Sequence, residues 1–371
     1  MSRVGIVAMS RPALGGTFQY TLSMIDALSR VKKNSYTIFT DANNHAYDDL
    51  GLPVQRLPSL GKTVLEFLRI RALPGDGGGL FADVDKVIAP IYSTRLLASR
   101  KPFLFTLHDL QDKYYPQNFS YAQRRWRDFV NKSLSGTARG IICESTHVKH
   151  DIQKFLQVDP GKISVIPAPP VSAFLPEHTD SAEFRRAMQA VELPEQYLFY
   201  PAQFFVHKNH LRLVEAFAEV LKTQPNCHLL LTGQQKYQFA KVMSRVRELG
   251  VGARVRHLGY VDTDTMAAVL SRATVVVVPT LFESISIPVY EAFRMGVPVC
   301  ASNVVALPEQ IGDAGVLFDP FSVDDMARKI SSLLADPELR AELVRRGKAR
   351  IAGLTMDRYA GELADLLDRV V

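Results

Sequence analysis

The stretch VVVVPTLFESISIPVYEAFRMGVPV, Val275–Val299, decides the reading of this chain. Four valines form a short, wholly apolar, β-branched run, the pattern of a strand buried on both faces. Pro279 stops it, and the loop Thr280–Ser284 follows. A helix then begins with Pro288 in its first turn, where proline's missing N–H costs nothing. Gly296 closes that helix and Pro298 prevents its continuation. Strand, loop, helix places the segment in an α/β protein, where ligands sit at the carboxyl ends of the strands. The backbone N–H groups around Ile285, Ser286 and Ile287 are set to face an anion at a helix N-terminus. Two carboxylates flank this mouth: Glu283 in the loop, and Glu291 one turn into the helix.

Acids repel phosphate but accept hydrogen bonds from hydroxyls. An anion cradle with two acids beside it therefore suits a diphosphate with hydroxyls on both sides, ribose at one end and hexose at the other. Taken alone, the acids are equally well a loop acid and a helix-surface acid stabilised by the macrodipole. The surrounding motif breaks the tie. Pro279-Thr280, Glu283, Glu291-Ala292 and Gly296-Val297-Pro298-Val299 resemble the pattern of the retaining GT-B glycosyltransferases of family four. One departure is visible: Ile285-Ser286 stands where that family usually has Phe-Gly. A serine still has an N–H to offer, so the expected cradle survives.

At 371 residues, two domains are the natural expectation. An apolar content of 47% and a charged content of 22% describe an ordinary globular chain. The net charge of +6 permits anionic partners, nucleotides and phospholipid surfaces included, but no dense basic tract suggests nucleic acid. Cys143, Cys227 and Cys300 each lie in apolar strand-like settings, and none forms C-x-x-C. They read as buried, inert thiols of a reducing compartment. The N-terminus does not read as a signal peptide, and no stretch approaches a membrane span. The expected location is cytoplasmic, with any membrane contact at the surface of the inner leaflet.

In the first half, strands are expected at Val4–Met9, Tyr36–Phe39, Val54–Leu57, Val84–Ile88, Phe103–Leu107, Gly140–Cys143 and Lys162–Ile166. Gly15-Gly16 sits between the first strand and a helix at Phe18–Leu28; by pattern it is a plain tight turn, and the family resemblance implies a glycine loop over the donor diphosphate. Gly77-Gly78-Gly79 is read as a loop and rejected as a phosphate loop, because no Lys-Ser/Thr follows. Two basic helical stretches, Lys62–Leu73 (Lys62, Arg69, Arg71) and Tyr121–Lys132 (Arg124, Arg125, Arg127, Trp126), fit an anionic membrane or lipid acceptor. They fit slightly better as solvated faces with the apolar residues turned to the core. His108-Asp109 follows a strand directly. A lone histidine there is more often structural, but Thr106-Leu107-His108-Asp109-Leu110 resembles the family's His-Asp loop, which implies that His108 supports the reacting sugar and Asp109 orients the loop or the acceptor. Ser145 is read as a helix cap, and Pro167-Ala168-Pro169-Pro170 as a stiff interdomain linker.

The second half restarts the pattern with strands at Tyr197–Tyr200, His228–Thr232 and Val255–Leu258. Lys208-Asn209 before a helix resembles the family's Lys-Asn/Gly, which implies a phosphate-binding lysine. Gln203 stands where the family usually has arginine; it can donate hydrogen bonds but carries no charge, so either His207 or a basic residue from elsewhere compensates, or catalysis is slower. Gly233 reads as a close-approach glycine, and the resemblance implies that Tyr260 and Val261 pack on the nucleotide base. Asp262-Thr263-Asp264 looks like a D-x-D metal motif but reads better as acids opening a helix.

Together these readings predict an α/β GT-B fold: two Rossmann-like, doubly wound domains facing a cleft, residues 1–172 for the acceptor and 173–355 for the sugar nucleotide, with the helix 356–371 crossing back to the first. The resemblance implies transfer of a hexose, mannose or similar, from a GDP- or UDP-linked donor to a glycan or lipid-linked glycan in bacterial surface polysaccharide assembly. Anomeric configuration would be retained, with no cofactor and no metal. The expected machinery is His108, Lys208 and Glu283, with Gly15, Gly16, Gln203, Gly233, Tyr260, Val261, Ile285, Ser286, Ile287 and Glu291 on the donor and Asp109 toward the acceptor. A sugar-nucleotide epimerase of the same fold and a non-catalytic scaffold subunit remain alternatives; the missing glycine fingerprint argues against a dinucleotide dehydrogenase.

Overall fold

The structure is a computed structural model that describes residues 1–12, 15–58, 61, 79–170 and 181–370. The helix expected at Lys62–Leu73 lies outside the described residues. The chain divides into two compact units: Met1–Pro169 with Leu354–Val371, and Pro170–Gly353. The first division falls inside the proline run.

Unit 1 carries seven parallel strands: β1 (Arg3–Val7), β2 (Ser35–Asp41), β3 (Val54–Leu57), β4 (Lys86–Ala89), β5 (Phe103–Thr106), β6 (Gly140–Cys143) and β7 (Ile163–Val165). Their order is β3-β2-β1-β4-β5-β6-β7, so the winding reverses between β1 and β4. The central strands are apolar on both faces because helices cover both; β5 and β6 are buried throughout. The last helix, Met356–Asp368, belongs to this unit. Its Tyr359, Leu363 and Leu367 join one core with Tyr20, Met24 and Leu28 of the Gly16–Arg30 helix. The Lys86 ammonium donates to the Leu367 carbonyl (2.8 Å), fixing the helix end to β4.

Unit 2 carries six parallel strands: β8 (Tyr197–Pro201), β9 (His228–Thr232), β10 (Val255–His257), β11 (Val275–Val278), β12 (Val299–Ser302) and β13 (Val316–Phe318). Their order is β10-β9-β8-β11-β12-β13, with the reversal between β8 and β11. The four valines of β11 are all buried, paired in parallel with β8 on one side and β12 on the other. The helix after it runs Ile287–Met295, with Pro288 in its first turn and Gly296 closing it at φ 71°. The three cysteines are buried and none is in a disulfide.

Candidate functional site

In unit 2 the strand order puts the loops leaving β8 and β11 side by side, at the point where an open α/β sheet leaves a crevice. The two loops are joined. The Leu281 N–H donates to the His207 carbonyl (2.7 Å), and the Thr280 hydroxyl, wholly buried, lies 3.0 Å from that carbonyl and 2.9 Å from the carbonyl of Phe282. Asn209 is the staple. Its amide nitrogen donates to the carbonyls of Pro279 and Pro320, both at 2.9 Å, and its backbone is left-handed at φ 60°. Asparagine tolerates that conformation better than other non-glycine residues, which gives the Lys-Asn pair its physical reason.

This scaffold brings Lys208 to Glu283. The ammonium donates to the carboxylate at 2.5 Å, with side chains 20% and 16% exposed. Two residues assigned on separate grounds, one to phosphate and one to hexose hydroxyls, thus neutralise each other in the ligand-free chain. Glu291 has no such partner. It is 4% exposed, and among the described residues no donor reaches its carboxylate. Burial alone pushes its pKa up from 4.5 to about 8. The helix-surface reading of Glu291 is therefore excluded: the side chain is in the interior.

Two expectations for this mouth need correction. The Ser286 N–H is not free. It donates to the Gln310 side-chain oxygen (2.8 Å), and the Gln310 amide nitrogen donates back to the Ser286 carbonyl (2.7 Å). The cradle is left with the N–H groups of Ile285 and Ile287, which have no acceptor among the described residues. Nor does His207 replace the absent arginine. Burial, reinforced by the Lys208 charge, pushes its pKa down to about 3, so the ring is neutral near pH 7. Gln203 spends its carbonyl oxygen on the Gln234 N–H (3.0 Å), leaving its amide nitrogen as the donor at this position.

Gly233 adopts φ 123°, and a Cβ there would lie 2.6 Å from the Ala202 carbonyl oxygen. Its close approach is to the β8 loop, which it lets pack beside Gln203. The Gly233 N–H donates to the Gly259 carbonyl, linking the ends of β9 and β10. Tyr260 beyond it is 61% exposed, and Val261 is partly exposed. Asp262 caps the Thr263–Ser271 helix by accepting the Thr265 N–H (2.8 Å), as the helix-opening reading expects.

In unit 1, β4, β5 and β6 are neighbours, and their carboxyl ends present Pro90, His108 and Glu144 together. His108 Nδ1 lies 2.8 Å from a Glu144 carboxylate oxygen, and Nε2 lies 3.0 Å from the Pro90 carbonyl oxygen. The Tyr20 ring meets the imidazole edge-on at 4.6 Å, and the Tyr20 hydroxyl is 3.1 Å from that of Thr106. Glu144, 6% exposed, was missed in the sequence; its only signal is its place directly after a buried strand. Asp109 accepts the Gln111 N–H (3.0 Å) and faces the Arg127 guanidinium (3.3 Å), which orients the His-Asp loop. Gly15 precedes the first helix at φ 58°, with none of the described residues within 4 Å of where a Cβ would stand, and Gly16 starts that helix. Ser145 accepts the Val148 N–H as a cap (3.3 Å).

The Tyr121–Thr137 helix is neither a wholly solvated face nor a cleanly amphipathic one. Arg127 turns inward to Asp112 (2.9 Å), while Tyr121, Trp126 and Phe129 point to solvent, against the expectation that the apolar residues face the core. Among the described residues, no helix is long and apolar enough to cross a membrane.

Two family profiles match the chain: Glycosyltransferase Family 4 over residues 14–169 and Glycosyl transferases group 1 over residues 182–350. The O-antigen chain mannosyltransferase B of Escherichia coli is 27% identical over 251 residues, 66% of this chain and 64% of that protein. The chain spans 48 to 64% of the length of the first curated relatives it matches. Among solved structures, sucrose-phosphate synthase of Thermosynechococcus elongatus superposes with a TM-score of 0.78 at 23% identity, covering 100% of this chain and 99% of its own. Anabaena Alr3699/HepE, solved with UDP and glucose, gives 0.78 at 16% identity over 99% of this chain and 100% of its own. With two parallel, doubly wound sheets and profile matches across most of both units, the chain belongs to the group 1 glycosyltransferases of GT-B fold.

Proposed function

We propose that this chain is a retaining hexosyltransferase that moves mannose or a similar hexose from a nucleoside diphosphate sugar, GDP- or UDP-linked, to a glycan or lipid-linked glycan in bacterial surface polysaccharide assembly. The observation that carries the reading is Glu291: a buried carboxyl that no donor among the described residues reaches, on the helix after β11, whose preceding loop carries Glu283 of the lysine–carboxylate pair at the switch point of the sheet. A buried acid is costly unless something hydrogen-bonds it. Ribose hydroxyls are the donors that fit an acid one turn into a helix whose first N–H groups face a diphosphate. Binding would part Lys208 from Glu283. The lysine then faces the departing diphosphate, with the Ile285 and Ile287 N–H groups and the Gln203 amide, and Glu283 takes hexose hydroxyls. Gly15 and Gly16 cover the diphosphate, Tyr260 and Val261 take the base, and His108 supports the reacting sugar. Lysine and backbone N–H groups carry the leaving-group charge, so turnover should persist in excess chelator.

The mannosyltransferase name of the E. coli relative supports the mannose and O-antigen direction. Exposed Tyr121, Trp126 and Phe129, with Arg124 and Arg125 on the same helix, support contact with the inner face of the cytoplasmic membrane. A scaffold without catalysis is the second reading, favoured by the uncharged Gln203, the neutral His207 and the occupied Ser286 N–H. A thermal-shift panel of UDP, GDP, ADP, dTDP and CMP, run on wild type and Glu291→Ala, decides between them. A ligand at about 100 times its Kd adds roughly 2.7 kcal/mol. One nucleotide stabilising the wild type and much less the variant supports the transferase; no response to any supports the scaffold.

A further inference from the structure

The imidazole of His108 stands between two groups that can only accept. The Glu144 carboxylate offers acceptor oxygens, and so does the Pro90 carbonyl, yet the ring nitrogens lie 2.8 and 3.0 Å from them. A neutral imidazole has one N–H and satisfies one of the two; only the doubly protonated ring satisfies both. The groups packed on the ring agree. From the Gly16–Arg30 helix comes Tyr20, whose hydroxyl is turned to Thr106 and whose ring meets the imidazole edge-on. From the same loop comes Asp109, itself facing Arg127. From the end of β6 comes Glu144, and among the described residues no cation is paired with the ring. Burial disfavours the charge, but the hydrogen bond and charge of Glu144, with Asp109 and the Pro90 carbonyl, outweigh it and hold the ring above its ordinary value.

We propose that Glu144 is the positioning residue of His108: it holds the ring doubly protonated and fixes Nε2–H at the position where it now meets the Pro90 carbonyl, so that a sugar oxygen replacing that carbonyl meets a fixed, charge-assisted donor whose positive charge is balanced from behind. This rests on the transferase reading for its ligand, but not for the ionisation of the pair. A charge-assisted bond is about twice as strong as a neutral one, and a ring locked at Nδ1 loses no orientational freedom when the sugar arrives.

The test is nitrogen-15 NMR of histidine-labelled full-length protein, wild type, Glu144→Gln and Glu144→Asp, with steady-state kinetics beside it. Glutamine can donate to Nδ1 and so permits a neutral ring that still keeps Nε2–H; it removes the charge without removing the donor. At about pH 7 the wild-type ring should give the signature of protonation at both nitrogens. Its titration midpoint should fall by about one pH unit or more in Glu144→Gln and stay near the wild-type value in Glu144→Asp. The kcat should fall about tenfold, the rate equivalent of that unit, in Glu144→Gln, while nucleotide affinity holds and Glu144→Asp recovers rate. A wild-type ring that is neutral near pH 7, or a midpoint unmoved by Glu144→Gln, overturns the proposal, and the wild-type spectrum decides this even if a variant fails to fold. A protein that turns over no sugar nucleotide, yet shows the shifted midpoint, refutes the transferase reading and leaves the pair standing.

Discussion

Replacing Glu291 by glutamine should make the ligand-free protein more stable near neutral pH while destroying its nucleotide site. The pKa of this acid rises from 4.5 in the open chain to about 8 in the fold, through burial alone. A carboxyl whose folded pKa is raised contributes stability that is fully present below pH 4.5 and is lost as pH climbs to about 8, because the unfolded chain sheds its proton first. Each unit of separation is worth about 1.4 kcal/mol, so roughly 3 kcal/mol disappears between about pH 5 and pH 7. Glutamine has nothing to ionise. Its amide carries a fixed burial cost of roughly 1–3 kcal/mol, and that cost does not depend on pH. The stability of Glu291→Gln minus that of wild type should therefore climb by about 1.4 kcal/mol per pH unit over this window and level off above about pH 8. Calorimetry is the assay, because Trp126, the single tryptophan, lies in unit 1 and reports on the wrong half. For a unit of this size the climb corresponds to roughly 2–4 °C in Tm per kcal/mol. The same acid predicts that nucleotide binding near pH 7 releases close to one proton, since donating hydroxyls favour the ionised form. A stability difference that is flat from pH 5 to pH 8 would refute the reasoning: Glu291 would then be ionised and satisfied without a ligand.

Three further outcomes are expected. Glu283→Gln should lower kcat by far more than it weakens nucleotide binding, since its assigned partner is the hexose; equal losses in both would show that the acid serves the nucleotide or only holds Lys208. Asn209→Gly should cost roughly 1–3 kcal/mol through three lost hydrogen bonds, two to the Pro279 and Pro320 carbonyls and one from Arg212, and Asn209→Ala about 1 kcal/mol more, because alanine at φ 60° adds backbone strain; a glycine variant no better than alanine in thermal unfolding would contradict the backbone argument. Gln203→Arg should tighten nucleoside diphosphate binding, by up to about tenfold, and steepen its salt dependence; unchanged affinity across a salt series would mean that the diphosphate does not reach this position.

Much of the architecture is legible in the chain because buried parallel strands leave an uninterrupted apolar signature. VVVV at Val275–Val278 and GIIC at Gly140–Cys143 mark their strands to the residue. Prolines and glycines at the turns mark where the strands stop. The charged positions of the site were readable too, since Lys208, Glu283 and Glu291 stand at strand ends or in the first turns of helices, where position in sequence already implies position at the mouth of a sheet. Their states were not. Whether Ser286 has a free N–H depends on Gln310, 24 residues away and brought back by a separate helix. Whether His207 carries charge depends on its burial beside Lys208. Glu144 acquires meaning only once β5 and β6 lie side by side.

By itself, the sequence determined the two runs of alternating strands and helices, and the acids and lysine on the loops of the candidate site, because hydrophobic period and turn residues act locally. Tertiary structure alone decided which strands are neighbours, and with that which donors are already spent, which carboxyl is left without a donor among the described residues, and that the His207 ring is neutral. Hydrogen bonding and ionisation are set by groups within a few ångströms in space, and in a doubly wound sheet those groups come from distant parts of the chain.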